Sequence, residues 1–425
     1  MKIPKSMFLC VALMLVSLAP SGTLAQKLDL EGTWAGTLTT DSGTGGLEVT
    51  FHFEGDRWKG AIKMRLEGQE LTADVQDLVV SGNDVSFTAQ PGPLIKFAGK
   101  VDSNKFNGAA EAFRDATRIG TGTFSLSRGA MMPAVQNSGG GQVADENFNA
   151  KVDKPAYSKD GPRVLFDEAH NNFHTATGRY KPFADLIGND GYQITSNKEK
   201  FTPELLKGYN VLVISNALGM PRMADPNAAN PAFTDAECDA VREWVKSGRA
   251  LLLIADHAPM GSANQILGER FGIEMSKMFT IDEQNSDKES GNSGFIVYTR
   301  ESGRLADHPI TRGRDDSERV NKIIAFTGQS LKGPPTGVPF MKLADTAQDT
   351  MGGQSPKFVS AAGRAQGIAL AFGKGRAVFL GEAGMLSAQL AGPQRRPFGM
   401  NRPGIDNRQL ALNIMHWLTR VLPEK

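Results

Sequence analysis

Apolar and polar positions alternate through residues 28–128. The apolar members are Leu47, Val49, Phe51 and Phe53, then Ile62, Met64 and Leu66, then Val85 and Phe87, Ile95 and Phe97, and Phe124 and Leu126. A period of two sends successive side chains to opposite faces, so each run predicts a half-buried strand. Turn-forming clusters separate the runs, among them Glu54-Gly55-Asp56, Ser81-Gly82-Asn83-Asp84 and Asp102-Ser103-Asn104. About eight short strands with short connections predict an antiparallel β-barrel or sandwich.

The pattern then stops. Residues 129–160 are rich in Gly, Pro, Asn and Asp, show no sustained period, and read as a linker centred on Gly139-Gly140-Gly141. From 161 to 423 strand and helix signals alternate. Arg163–Phe166, Tyr192–Ile194, Val211–Ile214 and Ala250–Ala255 are short apolar runs. Tyr180, Phe183, Leu186 and Ile187 recur at helical spacing, and Thr234 with Glu237 forms a capping box for a helix running to Lys246. Another helix is expected near 261–271, and a last one near 406–421 with Leu410, Ile414, Trp417 and Leu418 as its buried stripe. Ile368–Phe372 and Ala377–Leu380 flank Gly373-Lys374-Gly375 as a hairpin. Residues 272–366 are less regular, and the polar, Gly/Ser-rich stretch 281–294 reads as a loop or flap. Strands apolar on both faces, alternating with helices, predict a mostly parallel sheet covered on both sides.

Composition changes this picture in one place. The 47 Lys plus Arg nearly balance the 46 Asp plus Glu, which argues against nucleic acid or an anionic membrane surface as partner. Residues 1–25 join a basic start (Lys2, Lys5) to the apolar run Met7–Leu18 and then Pro20, Ser21 and Gly22, the pattern of a secretory signal peptide. The apolar run is too short to span a bilayer, so no membrane insertion is expected after cleavage. Cys10 lies inside the run, so no lipid anchor is expected. Without Lys2 and Lys5 the chain holds 45 basic and 46 acidic groups, net −1, and keeps a single thiol, Cys238. An exported protein, periplasmic or extracellular, that lacks an internal disulfide must be held by its cores.

In open α/β sheets, ligands bind beyond the carboxyl ends of the strands. Four such ends carry polar residues here: Asp167, Glu168, His170, Asn171, Asn172 and His174 after one strand, Asn216 after another, Asp256 and His257 after a third, and Glu382 after the hairpin. Glu168, Asp256, His257 and Glu382 are the candidates for acid–base chemistry. Asp167, His170, Asn171, Asn172, His174 and Asn216 are candidate ligand contacts. No cofactor is required by these residues, but Zn or another divalent metal is an alternative. His170 and His174 would share one face of a helical turn, His257 would complete the set, and Glu168 would act as general base. Phe173 and Tyr180 are candidate platforms for a sugar ring. A phosphate-binding loop and a G-x-S-x-G elbow are both absent, and Cys238 falls inside a helix as a small buried hydrophobe.

Two resemblances add to this. Gly32-Thr33-Trp34 resembles the G-x-W start of lipocalin-like (calycin-like) barrels and implies a Trp packed across the barrel's closed end. A filled barrel and one holding an apolar ligand both stay open. The segments Val164–Phe166, Val211–Asn216, the helix into Gly248, Leu251–His257 and Gly373–Glu382 resemble a class I glutamine-amidotransferase-like domain. More narrowly, they resemble variants in secreted bacterial proteins of unknown function, which are similar to domains of gliding-motility and intraflagellar-transport proteins. This implies a flavodoxin-like α/β fold. It does not imply glutamine hydrolysis, because the position of the nucleophilic Cys holds Asp256-His257-Ala258-Pro259.

The expectation is therefore an exported protein whose degenerate amidotransferase-like domain binds a polar small molecule or carbohydrate. A metal-dependent hydrolase at the same edge, and an envelope scaffold without a small-molecule site, are the alternatives.

Overall fold

The computed structural model describes residues 28–424 except 41–42, 67–68, 115–116, 132–141, 159, 224, 352–356 and 393. The expected signal peptide and the Gly139–Gly141 stretch lie outside the described residues.

The alternating runs of residues 28–128 form eight antiparallel strands, from Gly32–Thr40 to Thr117–Arg128. Each pairs with the next, and the first pairs with the last, Trp34 opposite Arg128 and Thr40 opposite Gly122. The sheet is thus a closed barrel, which leaves no free edge. One face of every strand turns inward. Trp34, Phe51, Phe87, Phe97, Phe106 and Phe124 are buried in one cluster with Leu47, Val49, Ile62 and Met64. Phe87 stacks on Phe97 with ring centres 4.7 Å apart, and Phe106 meets Phe124 edge-on at 4.9 Å. An eight-stranded barrel is just wide enough for its own side chains, and these rings occupy that space. Trp34 is fully buried, donates from Nε1 to the Leu30 carbonyl at 2.9 Å, and carries the Arg128 guanidinium over its ring. Gly36 is required where two strands close: a Cβ there would sit 2.0 Å from the Ser125 carbonyl oxygen.

The C-terminal region is built on a nine-stranded mixed sheet. Five strands run parallel in the order Gln193–Asn197, Arg163–Asp167, Val211–Ser215, Ala250–Ile254 and Gly375–Leu380. The hairpin partner Ala365–Phe372 is antiparallel, and Val338–Lys342, Leu331–Lys332 and Glu274–Met275 extend that side. The sheet is more mixed than expected. Apart from the expected hairpin strand, its antiparallel members come from the irregular 272–366 region, where strands of two to five residues are too short to show a period.

Both faces of the four inner parallel strands are buried, which is why they read as apolar runs, while the edge strand Gln193–Asn197 is mostly exposed. Phe166, Val213, Leu252, Ile254 and Val378 pack against helices Lys181–Asn189 and Asn407–Leu418. Leu165, Leu212, Leu251, Leu253 and Phe379 pack against helices Asp235–Lys246 and Met260–Glu269. The predicted capping box is present: Thr234 Oγ1 accepts from the Glu237 N–H, and the Glu237 carboxylate accepts from the Thr234 N–H. Cys238 is buried in that helix.

Part of the stretch read as a linker is held by this region. Val143–Ala144 pairs with strand Ala388–Ala391, and Tyr157 packs edge-on against Tyr192. The 281–294 loop is tied down by Asn285 and Thr346, both donating to Asp282, and by Arg402 on Asp287 at 2.7 Å.

Candidate functional site

Because the strands are parallel, the residues that follow them gather at one edge. Asp167 ends its strand, Asn216 follows Ser215, Asp256 comes two residues after Ile254, and Glu382 two after Leu380. Ile254 is opposite Leu380 in register, so Asp256 and Glu382 leave adjacent strands side by side.

Asp256 and Glu382 form the most unusual feature of this edge. Glu382 is fully buried, while Asp256 keeps 9% of its surface open. Each is held by neutral donors. Glu382 accepts from the N–H groups of Gly384 at 2.5 Å and Met385 at 2.7 Å, one on each oxygen. Asp256 accepts from the His257 N–H at 2.9 Å, and its own N–H donates to Asn216 Oδ1 at 2.9 Å. Gly384 has no room for a side chain, because a Cβ would lie 2.7 Å from the Glu382 carboxylate it serves. Among the described residues neither carboxyl is in an ion pair. Burial without a countercharge disfavours ionisation, and it pushes Asp256 up to about 7. Burial, and then the neighbouring Asp256, pushes Glu382 up to about 8. The two titrate as a pair and keep at least one proton at neutral pH. Backbone N–H groups serve both carboxyls, Gly384 and Met385 on Glu382 and His257 and Ala383 on Asp256, so the proton belongs to the pair rather than to either member.

The surroundings are polar and neutral. Asn216, at φ 51°, donates from Nδ2 to His174 Nδ1 at 3.4 Å. His174 therefore carries its proton on Nε2. It is buried, lies 3.2 Å from Ser215 Oγ and stacks on Tyr180 at 4.7 Å. Burial and the Arg179 charge bring His174 down to about 3, so it is a neutral hydrogen-bonding group. Tyr180 donates to the Ala383 carbonyl at 2.6 Å, next to Glu382. His257 is half-buried, stacks on Phe279 at 4.1 Å, and donates from Nδ1 to the Ala258 carbonyl at 2.7 Å. Burial lowers its basicity, and its Nε2 is left as the acceptor.

The other expected residues form a second cluster. His170 is buried with Nδ1 2.9 Å from Asp167 and Nε2 2.9 Å from Glu237. Asn172 donates to Asp167 at 3.0 Å, and exposed Asn171 donates to the Leu218 carbonyl. Glu168 accepts from Lys198 at 2.5 Å, Ser196 at 2.9 Å and the Ala176 N–H at 3.0 Å. Burial opposes its ionisation, but these donors outweigh it and hold Glu168 below the usual carboxylate range.

This arrangement does not bring the three expected metal ligands, His170, His174 and His257, together. Residues 168–180 are not helical, so His170 and His174 do not share a face. His170 has no free ring nitrogen, His174 faces Asn216, and His257 belongs to another loop. Among the described residues no three His, Cys, Asp or Glu side chains converge as a metal site. Glu168, bound to Lys198, is also not placed as a general base. Phe173 is half-buried under the Arg179 guanidinium, and Tyr180 is fully buried, so neither is an open platform.

Several participants were not singled out from the sequence. Gln329 donates to the Ala255 and Asp256 carbonyls at 2.8 and 2.9 Å and fixes the turn that carries Asp256. Ser215, and Glu237 in its second role, reach their partners across 41 and 67 residues. The capping box made Glu237 visible, but nothing local signals its second partner. Surface grooves of about 320, 550 and 710 Å³ lie elsewhere and contain none of the edge carboxyls.

No protein-family model matches the chain, and no curated protein matches it. Solved structures are similar at low identity. The mmIFT52 N-terminal domain is 15% identical with a TM-score of 0.44, covering 60% of this chain and 97% of its own. Cytoplasmic protein STM1381 from Salmonella typhimurium LT2 is 12% identical with a TM-score of 0.34, covering 60% of this chain and 99% of its own. The exo-β-1,4-mannosidase Op5Man5 from Opitutaceae bacterium strain TAV5 is 11% identical with a TM-score of 0.26, covering 52% of this chain and 31% of its own.

Proposed function

We propose that the C-terminal region is an amidotransferase-like α/β domain without its nucleophile, in an exported protein, and that its carboxyl edge binds a neutral polar small molecule such as a carbohydrate. The observation that carries this reading is the Asp256–Glu382 pair, buried side by side without a cation. Holding two carboxyls in that state costs free energy, and a pair that shares a proton offers both a donor and acceptors to hydroxyl groups. Asp256 is the open member, flanked by half-buried His257. A net anionic, partly protonated pair disfavours anionic ligands. The parallel order supports a flavodoxin-like arrangement: numbered in chain order, the five strands run 2-1-3-4-5, with ligands expected at the carboxyl ends. Asp256 and His257 stand where an amidotransferase would carry its Cys, so binding rather than glutamine hydrolysis follows.

The test is a thermal-shift and calorimetric screen of neutral hexoses, N-acetylhexosamines and their short oligomers. It compares the wild type with Asp256→Asn and Glu382→Gln. Binding by the wild type that both variants weaken at least about tenfold supports the reading, since a hydrogen bond to a buried acid contributes on that scale. Binding that both variants retain, or no binding by a folded wild type, overturns it.

A further inference from the structure

His170 shows its charge state through geometry. Both ring nitrogens face carboxylate oxygens at 2.9 Å, Asp167 on one side and Glu237 on the other. The remaining partners of those carboxylates are donors. Asp167 also accepts from Asn172 at 3.0 Å, Asn197 at 3.3 Å and the Ala169 N–H at 3.3 Å. Glu237 also accepts from the Phe201 N–H at 3.2 Å, the Thr234 N–H at 2.9 Å and Thr234 Oγ1 at 2.7 Å. Both carboxylates act as acceptors only, so both imidazole nitrogens must carry hydrogen. The rings of Phe201 and Phe233 lie 4.7 Å from the imidazole on two further sides, an enclosure suited to a cation.

We infer that His170 is a buried imidazolium that pins the 168–176 loop between the Arg163–Asp167 strand and the N-terminus of helix Asp235–Lys246, and that removing its proton releases the loop. A neutral imidazole keeps one N–H, so one of the two carboxylates would face a bare nitrogen lone pair. That loss is felt where the loop meets the candidate edge. The Phe173 N–H donates to the Asn216 carbonyl at 2.9 Å, and the His170 carbonyl accepts from the Leu218 N–H at 2.9 Å. Asp167 from the strand and Glu237 from the helix are the charged groups that face the ring. Segment 197–201 presents Asn197 and Phe201, and the approach to the helix presents Phe233 and Thr234, all uncharged. Burial alone would favour the neutral ring, but the two carboxylates outweigh it and raise His170 above its ordinary value. The latch therefore stays closed to higher pH than an ordinary histidine would allow and opens on the alkaline side. Its contacts lie outside the Asp256–Glu382 pair, so its failure would leave the proposed binding reading untouched.

The experiment is ¹⁵N spectroscopy of the histidine rings in the wild-type protein from pH 6 to 10, with amide hydrogen exchange over the same range. His170→Gln assigns the resonance; if that variant does not fold, contacts from the Phe201 and Phe233 rings assign it. The expected result is a ring protonated on both nitrogens at pH 7. As it titrates above 6.5, exchange at the Phe173 and Leu218 amides should accelerate about tenfold beyond the intrinsic base-catalysed rise, the scale of one charged hydrogen bond. A neutral ring at pH 7 overturns the inference. So does a titrating imidazolium whose loss leaves those two amides unaffected.

Discussion

Asp256→Asn is a direct perturbation of the buried acid pair, because the amide resembles a carboxyl that keeps its proton. A carboxyl whose folded value is raised binds its proton more tightly when folded. Its full contribution to stability is present below the unfolded value near 3.8 and is lost as pH rises towards the folded value of about 7. Above that the loss is constant. A rise from 3.8 to about 7 corresponds to roughly 4 kcal/mol. Sharing of the proton with Glu382 and local relaxation reduce this to about 2–4 kcal/mol. Asp256→Asn should therefore match the wild type near pH 4 and exceed it by that amount at pH 8–9. For a region of this size that is about 5–10 °C in melting temperature. The assay is thermal unfolding of both proteins, followed by far-ultraviolet circular dichroism, at half-unit steps from pH 4 to 9. A difference that does not change with pH, or a variant less stable than the wild type at pH 8–9, would refute the reasoning.

Other expectations follow from the packing. Leu253→Ala empties a site buried on both faces of the central strand and should cost about 3 kcal/mol, measured by urea unfolding of the C-terminal region. Trp34→Ala removes a fully buried ring and its bond to Leu30; it should cost about 3–5 kcal/mol, read from a barrel transition monitored by near-ultraviolet circular dichroism. Burial pushes the Cys238 thiol up to about 12, so iodoacetamide at pH 8 should modify it only after denaturation, checked by mass mapping.

The barrel was legible because each strand has one wet and one dry face, and residues such as Val49, Phe51, Ile62 and Met64 report that directly. The four apolar runs from Val164 to Ile254 and the cap at Thr234 were legible for similarly local reasons. The convergence of Asp167, Asn216, Asp256 and Glu382 followed from the parallel order of their strands. The pairing within that edge was not legible. His170 and His174 are four residues apart, but Asn172 bonds Asp167 and the Phe173 N–H bonds Asn216, which replaces the helical turn with an irregular loop. His170 chose Glu237, 67 residues away, and Glu382 chose the backbone of its own turn. Such choices are made by tertiary packing, and no local period records them. Beyond the expected hairpin, the antiparallel side of the sheet was missed for a related reason, since strands as short as Leu331–Lys332 carry no alternation to read.

The central claim is that Asp256 and Glu382 meet a neutral hydroxyl-bearing ligand while they share a proton. Infrared difference spectroscopy of the wild type at pH 7, with and without the tightest-binding sugar of the screen, tests it most directly. The account predicts a protonated-carboxyl C=O band that shifts when the sugar binds and is altered in both Asp256→Asn and Glu382→Gln. Two fully ionised carboxylates at pH 7, or a protonated band that the bound sugar leaves unchanged, would contradict it.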